Sequence, residues 1–443
     1  FRSRILYRDD SLGGAVDQKV NLVVGTGFTP QAKVRQEKWI GKEQAELLNL
    51  ETEDLYECFS EMCDTTGTRS FWDVERLVCR HLQVDGEAFV RMAALRRGEC
   101  PIPLALEVID PERISTPPEE AGNPLVRMGV KHDPSGRVIG YYVQVKHPYD
   151  TKDFSLRFDY VPVGQMLHIF EEWFAGQSRG VPWFARVMNR IRDAKDLDEA
   201  SLIAAQVEAC FAAFVEVGDG TDAYEAAKGA TTQTVANRRL QDITPGRIEY
   251  LNRNEKVSFA TPTRPGNSVG PLQESNYRRI SAGINFPYEM IMADWRGLSF
   301  SGGRLVLTSA KKDVASAQKL LRNGLHSPVW KQMVREGVMF GAISADIRRF
   351  NEYPRIYTRH KWNPQVWDYS VNPVQDINAS ILEIDANIRT LADVIAERTG
   401  GDLEETLAAR EQEIKLQNEK QILEAKRLVL QQQKETVTTG SAA

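Results

Sequence analysis

Apolar and polar positions alternate with a short period in the first part of the chain and recur every three to four residues in much of the remainder. Ala88-Phe89-Val90-Arg91-Met92, Leu104-Ala105-Leu106-Glu107-Val108-Ile109 and Gly140-Tyr141-Tyr142-Val143-Gln144-Val145 are short runs of this kind bounded by turn residues, which predicts strands. Residues 126–132 and 137–146 flank Asp133-Pro134-Ser135-Gly136. Pro presets one turn dihedral and Gly permits a positive φ, so the two runs are predicted to form a β-hairpin. Gln44 to Met62 and Phe71 to Gln83 carry helical spacing, and residues 1–180 therefore read as an α+β region.

At Gly180-Val181-Pro182 the pattern changes. Phe184, Val187, Met188, Ile191, Ala194, Leu197, Leu202, Ala205, Ala209 and Ala212 recur at helical period until Gly218, which predicts one helix over Trp183 to Val217, roughly 50 Å long. Residues 218–270 read as a compact insert. It has a polar helical piece around Asp222 to Arg239, then a hairpin of Arg247 to Leu251 with Lys256 to Ala260, then linker chemistry from Thr261 to Pro271. A second helix is predicted over Leu272 to Asn285, ended by Phe286-Pro287. Tyr288 to Gly303 is apolar without a clear period, and long loops of this kind tend to be functional.

Arg304 to Gly341 returns to helical period, with Leu305, Ala310, Val314, Ala317, Leu320, Leu321 and Leu325 on one face and a kink or break expected at Pro328. Asn351 to Pro373 reads as irregular and aromatic-rich, and Val374 to Arg398 as helical. Gly400-Gly401 ends that helix and Asp402 can cap a final one. There Leu416, Leu423 and Leu430 repeat every seven residues, a seam that suits either a partner helix or a solvated surface. Thr436 to Ala443 is expected to be disordered.

A chain of 443 residues exceeds what one hydrophobic core usually organises, so several cores are expected. The formal charge of -5 argues against a basic nucleic-acid clamp, whose phosphate contacts need a clustered Lys/Arg excess. Cys58, Cys63, Cys79, Cys100 and Cys210 lie at irregular spacings without a Cys-x-x-Cys pair and read as reduced, buried thiols. The most apolar stretch, Ser201 to Val217, is interrupted by Gln206, Glu208 and Glu216, so no membrane helix is predicted. The chain starts at Phe1 without a basic-then-apolar leader, so a trimmed or disordered N-terminus is expected rather than a signal sequence.

The sequence offers little catalytic chemistry. It has no Gly-x-x-x-x-Gly-Lys-Ser/Thr loop, and Gly25-Thr26-Gly27 lacks the third Gly of a dinucleotide fingerprint. The six His are scattered, so neither a metal site nor any other cofactor is expected. Ser299 and Ser301 lack the Gly-x-Ser-x-Gly elbow of a nucleophile. The pairs Glu119-Glu120, Glu171-Glu172 and Glu404-Glu405 read as solvated faces, and Asp110-Pro111-Glu112-Arg113 as turn chemistry. Arg296 is either a surface arginine or a residue presented to a polyanion. Met290, Ile291, Met292 and Trp295 are either a core plug or a pliable contact surface.

In this order the segments resemble the portal proteins of tailed bacteriophages, in particular the lambda-like portal family. The resemblance is carried by Arg8-Asp9-Asp10, Val16 to Val24-Gly25-Thr26-Gly27, Asp85-Gly86-Glu87-Ala88-Phe89, Val108 to Ile114, Gly129 to Tyr142, and His168 with Gly176-Gln177-Ser178-Arg179-Gly180-Val181-Pro182. Tyr277 to Ile284, Pro287-Tyr288-Glu289 and Ser299 to Arg304 complete it. Where relatives often have Ser-Ser-Ala-Arg before the long helix, this chain has Ser301-Gly302-Gly303-Arg304.

The resemblance implies an α+β portal fold: an α/β wing (1–180 and 302–370), stem helices (181–217 and 271–285), a clip (218–270), a tunnel loop (286–301) and a helical crown (371–443). It implies a homo-oligomeric ring of about twelve subunits at one capsid vertex. The implied partners are sliding double-stranded DNA, the terminase large subunit, a head-tail adaptor, the major capsid protein and scaffold. The implied location is the virion, with the host cytoplasm during assembly, and no membrane.

Met290, Met292, Trp295, Arg296 and Ser299 are the implied DNA-facing residues of the loop. Arg238, Arg239, Asp242 and Arg247 are the implied terminase- and adaptor-facing residues, and Ala205, Ala209 and Ala212 pack subunits in the stem. Two readings from other classes stay open at this point. One is an intracellular enzyme with its site in residues 88–182, which predicts a small-molecule pocket. The other is a helical scaffolding or interaction protein that uses the Leu416-Leu423-Leu430 seam.

Overall fold

The computed structural model describes residues 2–8, 10–150, 156–210, 214–217, 233–235, 238–240, 255–258, 269–364, 372–399, 401, 403 and 406–420. The chain divides into two compact units, one of residues 1–185 with 289–443 and one of residues 186–288. Helices and sheets occur together, an α+β architecture.

The first unit opens with α1 (Arg2–Tyr7) and α2 (Asp10–Val23), which the periodicity analysis did not single out. In α2, Leu12, Ala15, Val16, Val20 and Val23 form a buried stripe at helical spacing. Strand β1 (Thr29–Ala32) follows. Helix α3 (Lys42–Glu61) buries Ala45, Leu48, Thr52, Leu55 and Phe59, one residue per turn. Helix α4 (Phe71–Val84) starts with a capping box between Ser70 and Asp73. Both helices lie where the spacing predicts them.

Strands β2 (Glu87–Ala93) and β3 (Ala105–Ile109) match the first two predicted runs. Next come β4 (Val126–Arg127), β5 (Val130–His132), β6 (Val138–Gln144), β7 (Phe158–Pro162) and β8 (Met166–Phe170). One antiparallel sheet has the order β3-β2-β8 and another the order β4-β5-β6-β7. Phe89, Ile109, Ile114, Val130, Tyr141, Val143, Val161 and Met166, drawn from both, form one core.

The predicted hairpin is present between β5 and β6. Asp133 Oδ1 accepts from the amides of Ser135 and Arg137, and Gly136 is left-handed at φ 88°. Its first arm is shorter than expected. Met128 (φ 48°) and Gly129 (φ 84°) turn the chain between β4 and β5.

The second unit corrects two expectations. Helix α5 (Met188–Cys210) ends well before Val217, and Phe214–Val217 is instead strand β9. Phe214-Val215-Glu216-Val217 is an aromatic and β-branched alternation, better suited to a ladder than to a helix. The expected polar helix ending at Arg239 gives way to β10 (Gln233–Val235) and β11 (Arg238–Leu240), paired as a hairpin. Strand β12 (Glu255–Ser258) pairs with β9, whereas the expected partner segment Arg247 to Leu251 lies outside the described residues.

Helix α6 (Val269–Ile284) starts three residues before the expected Leu272 and accommodates Pro271 in its first turn, where a missing N–H removes no helical bond. Asn285, left-handed at φ 54°, ends it. Helices α5 and α6 pack together. Tyr277 Oη donates to Asp198 Oδ2 at 3.2 Å, and the Gln273 amide also donates to Asp198.

The single turn α7 (Tyr288–Ile291), which starts at the last residue of the second unit, leads through a loop to α8 (Phe300–Leu321) of the first, which the Ser299 hydroxyl caps by accepting from the Gly302 amide. A π-helical turn, Arg322–His326, joins α8 to α9 (Ser327–Met339). This irregular turn lies directly before Pro328, where a kink or break was expected. Ala310, Val314, Leu321 and Leu325 are buried as the pattern predicts, but Leu305 is 72% exposed.

The chain around and after Asn351 is less irregular than expected. It contains α10 (Ile347–Glu352), α11 (Pro354–Tyr357) and β13 (His360–Asn363), which pairs antiparallel with β1. The predicted helix Val374 to Arg398 is two helices, α12 (Pro373–Asp385) and α13 (Leu391–Thr399), separated at the left-handed Asn387. Residues 406–420 are helical, with Leu416 exposed, while Leu423 and Leu430 lie outside the described residues.

Candidate functional site

Four of the sequence segments quoted above converge on one buried node. Glu87 opens β2, and its carboxylate accepts from Arg179 Nε at 2.7 Å, His168 Nε2 at 3.0 Å and the Gly180 amide at 2.9 Å. Arg179 also donates to the carbonyls of Pro111, Ile114 and Met128 at 2.7 to 2.9 Å, and its guanidinium stands over the Phe89 ring. The 85–89, 108–114, 168 and 176–182 segments are thereby tied together, with Met128 beside the 129–142 hairpin. Burial works to raise the Glu87 pKa, but the hydrogen bonds from His168 and Arg179 outweigh it and hold the carboxyl below its ordinary range. Burial keeps the His168 imidazole neutral, lowering its pKa despite Glu87.

Close backbone approach makes the node possible. Gly86 is left-handed at φ 84°, and a Cβ there would collide with the Val181 backbone, while one on Gly180 would collide with that of Gly86.

A second node surrounds Arg4 of α1. Its guanidinium donates to Asp85 at 2.7 Å and Asp110 at 2.6 Å and pairs with Glu112 at 3.3 Å. Burial of Asp110 is outweighed by the hydrogen bond from Arg4, so that its pKa falls to about 2. Asp110, Glu112 and His147 are the one group among the described residues that could offer three ligand atoms to a metal ion. The Arg4 guanidinium already contacts both carboxylates, so a metal ion would have to displace it, and the group fits a structural ion network better. The sequence reading of Asp110-Pro111-Glu112-Arg113 as a turn is met by a 3-10 turn at Pro111–Arg113 capped by Asp110, but it missed Arg4.

The loop between α7 and α8 presents a different surface. Met290 and Ile291 are buried, so of the two readings offered for them the core plug holds. Met292 is half-buried, Trp295 is 51% exposed and the Arg296 side chain is almost fully exposed. Arg296 lies against Asp294, with Nε to Oδ1 at 2.8 Å and Nη2 to Oδ2 at 3.0 Å. Ala293 (φ 50°) and Gly297 (φ 77°) are both left-handed, which turns the loop sharply around Trp295 and Arg296. Ser299 is the α8 cap and not a free hydroxyl.

Of the remaining predicted residues, Arg238 and Arg239 lie on β11, while Asp242 and Arg247 are outside the described residues. Ala205 and Ala209 are on α5, with Ala205 exposed, and Ala212 lies outside the described residues.

Residues 1–318 match the family model described as phage portal protein, lambda family. The chain is 25% identical to a probable portal protein of Halomonas phage phiHAP-1 over 353 residues, covering 77% of this chain and 65% of that protein. It is 22% identical to portal protein B of Escherichia phage lambda, covering 84% of this chain and 75% of the relative. The portal protein of Escherichia phage N15 is 21% identical, with 69% of this chain and 62% of the relative covered. The chain thus spans about two thirds of the length of these curated relatives.

Among solved structures, the neck of a native gene transfer agent particle computed with C12 symmetry aligns with a TM-score of 0.48 at 11% identity, covering 89% of this chain and 92% of the other. The neck of the empty particle computed with C6 symmetry aligns at 0.46, also 11% identical and with the same coverage. The match to the family model spans both compact units and the loop between α7 and α8. The chain belongs to the lambda family of phage portal proteins.

Proposed function

We propose that this chain is the repeating subunit of a portal ring, a structural protein and not an enzyme, set at one vertex of a phage capsid. Double-stranded DNA would pass through the ring during packaging and leave through it at ejection. The observation that carries this reading is the family match over residues 1–318, which runs through both units and into α8. The charge of -5 supports it, because a subunit without net positive charge holds DNA weakly enough overall for the duplex to slide. The lack of a phosphate-binding loop supports a motor supplied by another protein.

In this reading the first unit is wing and crown, α5 and α6 are the stem helices, and the strands β9 to β12 belong to the clip that meets terminase and adaptor. The exposure of Trp295 and Arg296 supports them as the loop residues that approach DNA, and the burial of Met290 speaks against it in that role. The subunit would reside in the virion after assembly in the host cytoplasm.

Native mass spectrometry of the purified protein, with negative-stain images of the same sample, tests the proposal. A closed ring near twelve times 50.0 kDa with a central hole is the expected result. A monomer or dimer under all salt conditions would overturn it.

A further inference from the structure

Strands β1 and β13 form an antiparallel ribbon in which Gln31 faces Lys361 and Ala32 faces His360. The ladder runs one step further, the Lys33 amide donating to the Arg359 carbonyl at 2.9 Å. Residues opposite each other, and residues two apart on a strand, share a face. Lys33, Arg359 and Lys361 therefore stand on one side of the ribbon, with Lys33 opposite Arg359. Like charges placed directly opposite weaken a ladder, so this arrangement costs the fold stability.

Arg35 joins them, and Lys33, Arg35, Arg359, His360 and Lys361 line a cleft of about 380 Å³ with no carboxylate among them. Arg35, Arg359 and Lys361 are exposed, and among the described residues none of these three takes part in an ion pair. Two acids of the same unit already accept hydrogen bonds. Glu53 Oε1 accepts the Ala32 amide at 2.7 Å, and Asp393 is held mainly by the Thr390 hydroxyl, with Lys361 a weaker influence. His360 is occupied at both ring nitrogens, Nδ1 with the Thr358 carbonyl at 2.7 Å and Nε2 with Ser327 Oγ at 2.9 Å, and burial lowers its pKa, so it adds little charge to the cleft.

We propose that this cleft binds the phosphate backbone of a polynucleotide, with Arg359, Lys361 and Arg35 contacting phosphate oxygens. The guanidinium fork matches a phosphodiester's two free oxygens, and contacts made to the backbone alone carry no sequence information. A cationic cluster is otherwise out of place on a chain of charge -5. The choice of a polynucleotide over an acidic peptide rests on the portal reading, in which DNA is the polyanion at hand.

The experiment measures binding of a labelled DNA duplex to the full chain and to R359A/K361A, R359K/K361R and R35A, by fluorescence anisotropy from about 50 to 200 mM salt. Each lost phosphate contact should flatten the plot of log affinity against log salt by about one, so R359A/K361A should flatten it by about two and R35A by about one, while R359K/K361R keeps the slope. Equal slopes and affinities for wild type and R359A/K361A would overturn the proposal. So would loss of polyglutamate binding in R359A/K361A with DNA binding unchanged. A wild type that binds DNA through these residues but forms no ring would support the cleft while defeating the portal reading.

Discussion

Arg179 Nε donates to Glu87 Oε1 at 2.7 Å across 92 residues of chain, and the same guanidinium collects three backbone carbonyls. One side chain thus ties the end of β8's connection to the start of β2 and to the turn after β3. Both partners are largely removed from water, so their pairing is worth most as an intact unit.

Removing either partner alone leaves a buried charge without compensation. Glu87→Ala and Arg179→Ala are each expected to destabilise the fold by about 3–5 kcal/mol. The double variant should cost clearly less than their sum, because each single change already breaks the same contact. Urea unfolding of the three variants checks this, and simple additivity would show that the contacts act independently.

Acid should weaken the fold in two stages. The folded pKa of His168 is depressed, so the stability it contributes is present above its ordinary value near 6.5 and is lost as pH falls below it. The folded pKa values of Glu87, Asp85 and Asp110 are also depressed, so their contribution is present above the ordinary carboxylate range and fades as pH falls below about 4.5, for Asp110 down to about 2. Glu75, raised by burial, works in the opposite direction. Thermal midpoints between pH 8 and pH 3 should fall with decreasing pH, and His168→Gln should remove part of the upper stage only.

Gly86→Ala and Gly180→Ala test the close approach of the two backbones. At Gly86 a positive φ and a collision coincide, and at Gly180 the collision stands alone. Both variants are expected to lose more than about 2 kcal/mol, seen as loss of soluble folded protein. Gly303→Ala should behave in the opposite way. Gly303 lies in α8 with open space at its Cβ position, so an alanine should add about 0.5–1 kcal/mol of stability.

Deleting residues 292–298 should leave rings intact while impairing DNA packaging or retention, scored by particle assembly and DNA content. Extending the deletion back to 288 would also remove the buried Met290 and Ile291 and should cost folding itself. Normal packaging by the shorter deletion would end the assignment of this loop to DNA.

The helices α3, α4 and α8 to α9 were legible because one face of each is buried, which imposes a clean period, and the strands β2, β3 and β6 because they are short apolar runs bounded by turn residues. Phe214–Val217 was misread because its apolar residues continue the helical spacing of α5 while their β-branched character favours a ladder with 255–258. Strand β13 was hidden because its pairing with β1 depends on a segment more than three hundred residues away, which no local pattern reports. The Glu87 node was half legible: its segments were recognised, but a lone Glu before Ala88-Phe89-Val90 does not announce which arginine will meet it.

The chain leaves its first unit after residue 185 and returns at 289, so that unit is completed only by late residues. Arg349 donates to the Trp39 carbonyl across 310 residues, and Gln318 to that of Val23 across 295. At about 5–20 residues per second on the ribosome, those 310 residues take roughly 15–60 s to synthesise. Throughout that interval the side of α2 that meets α8 and the pairing edge of β1 wait for their partners. Slow completion of long-range pairs favours aggregation of nascent chains, so this subunit's yield should depend on chaperones and on growth temperature more steeply than its final stability does.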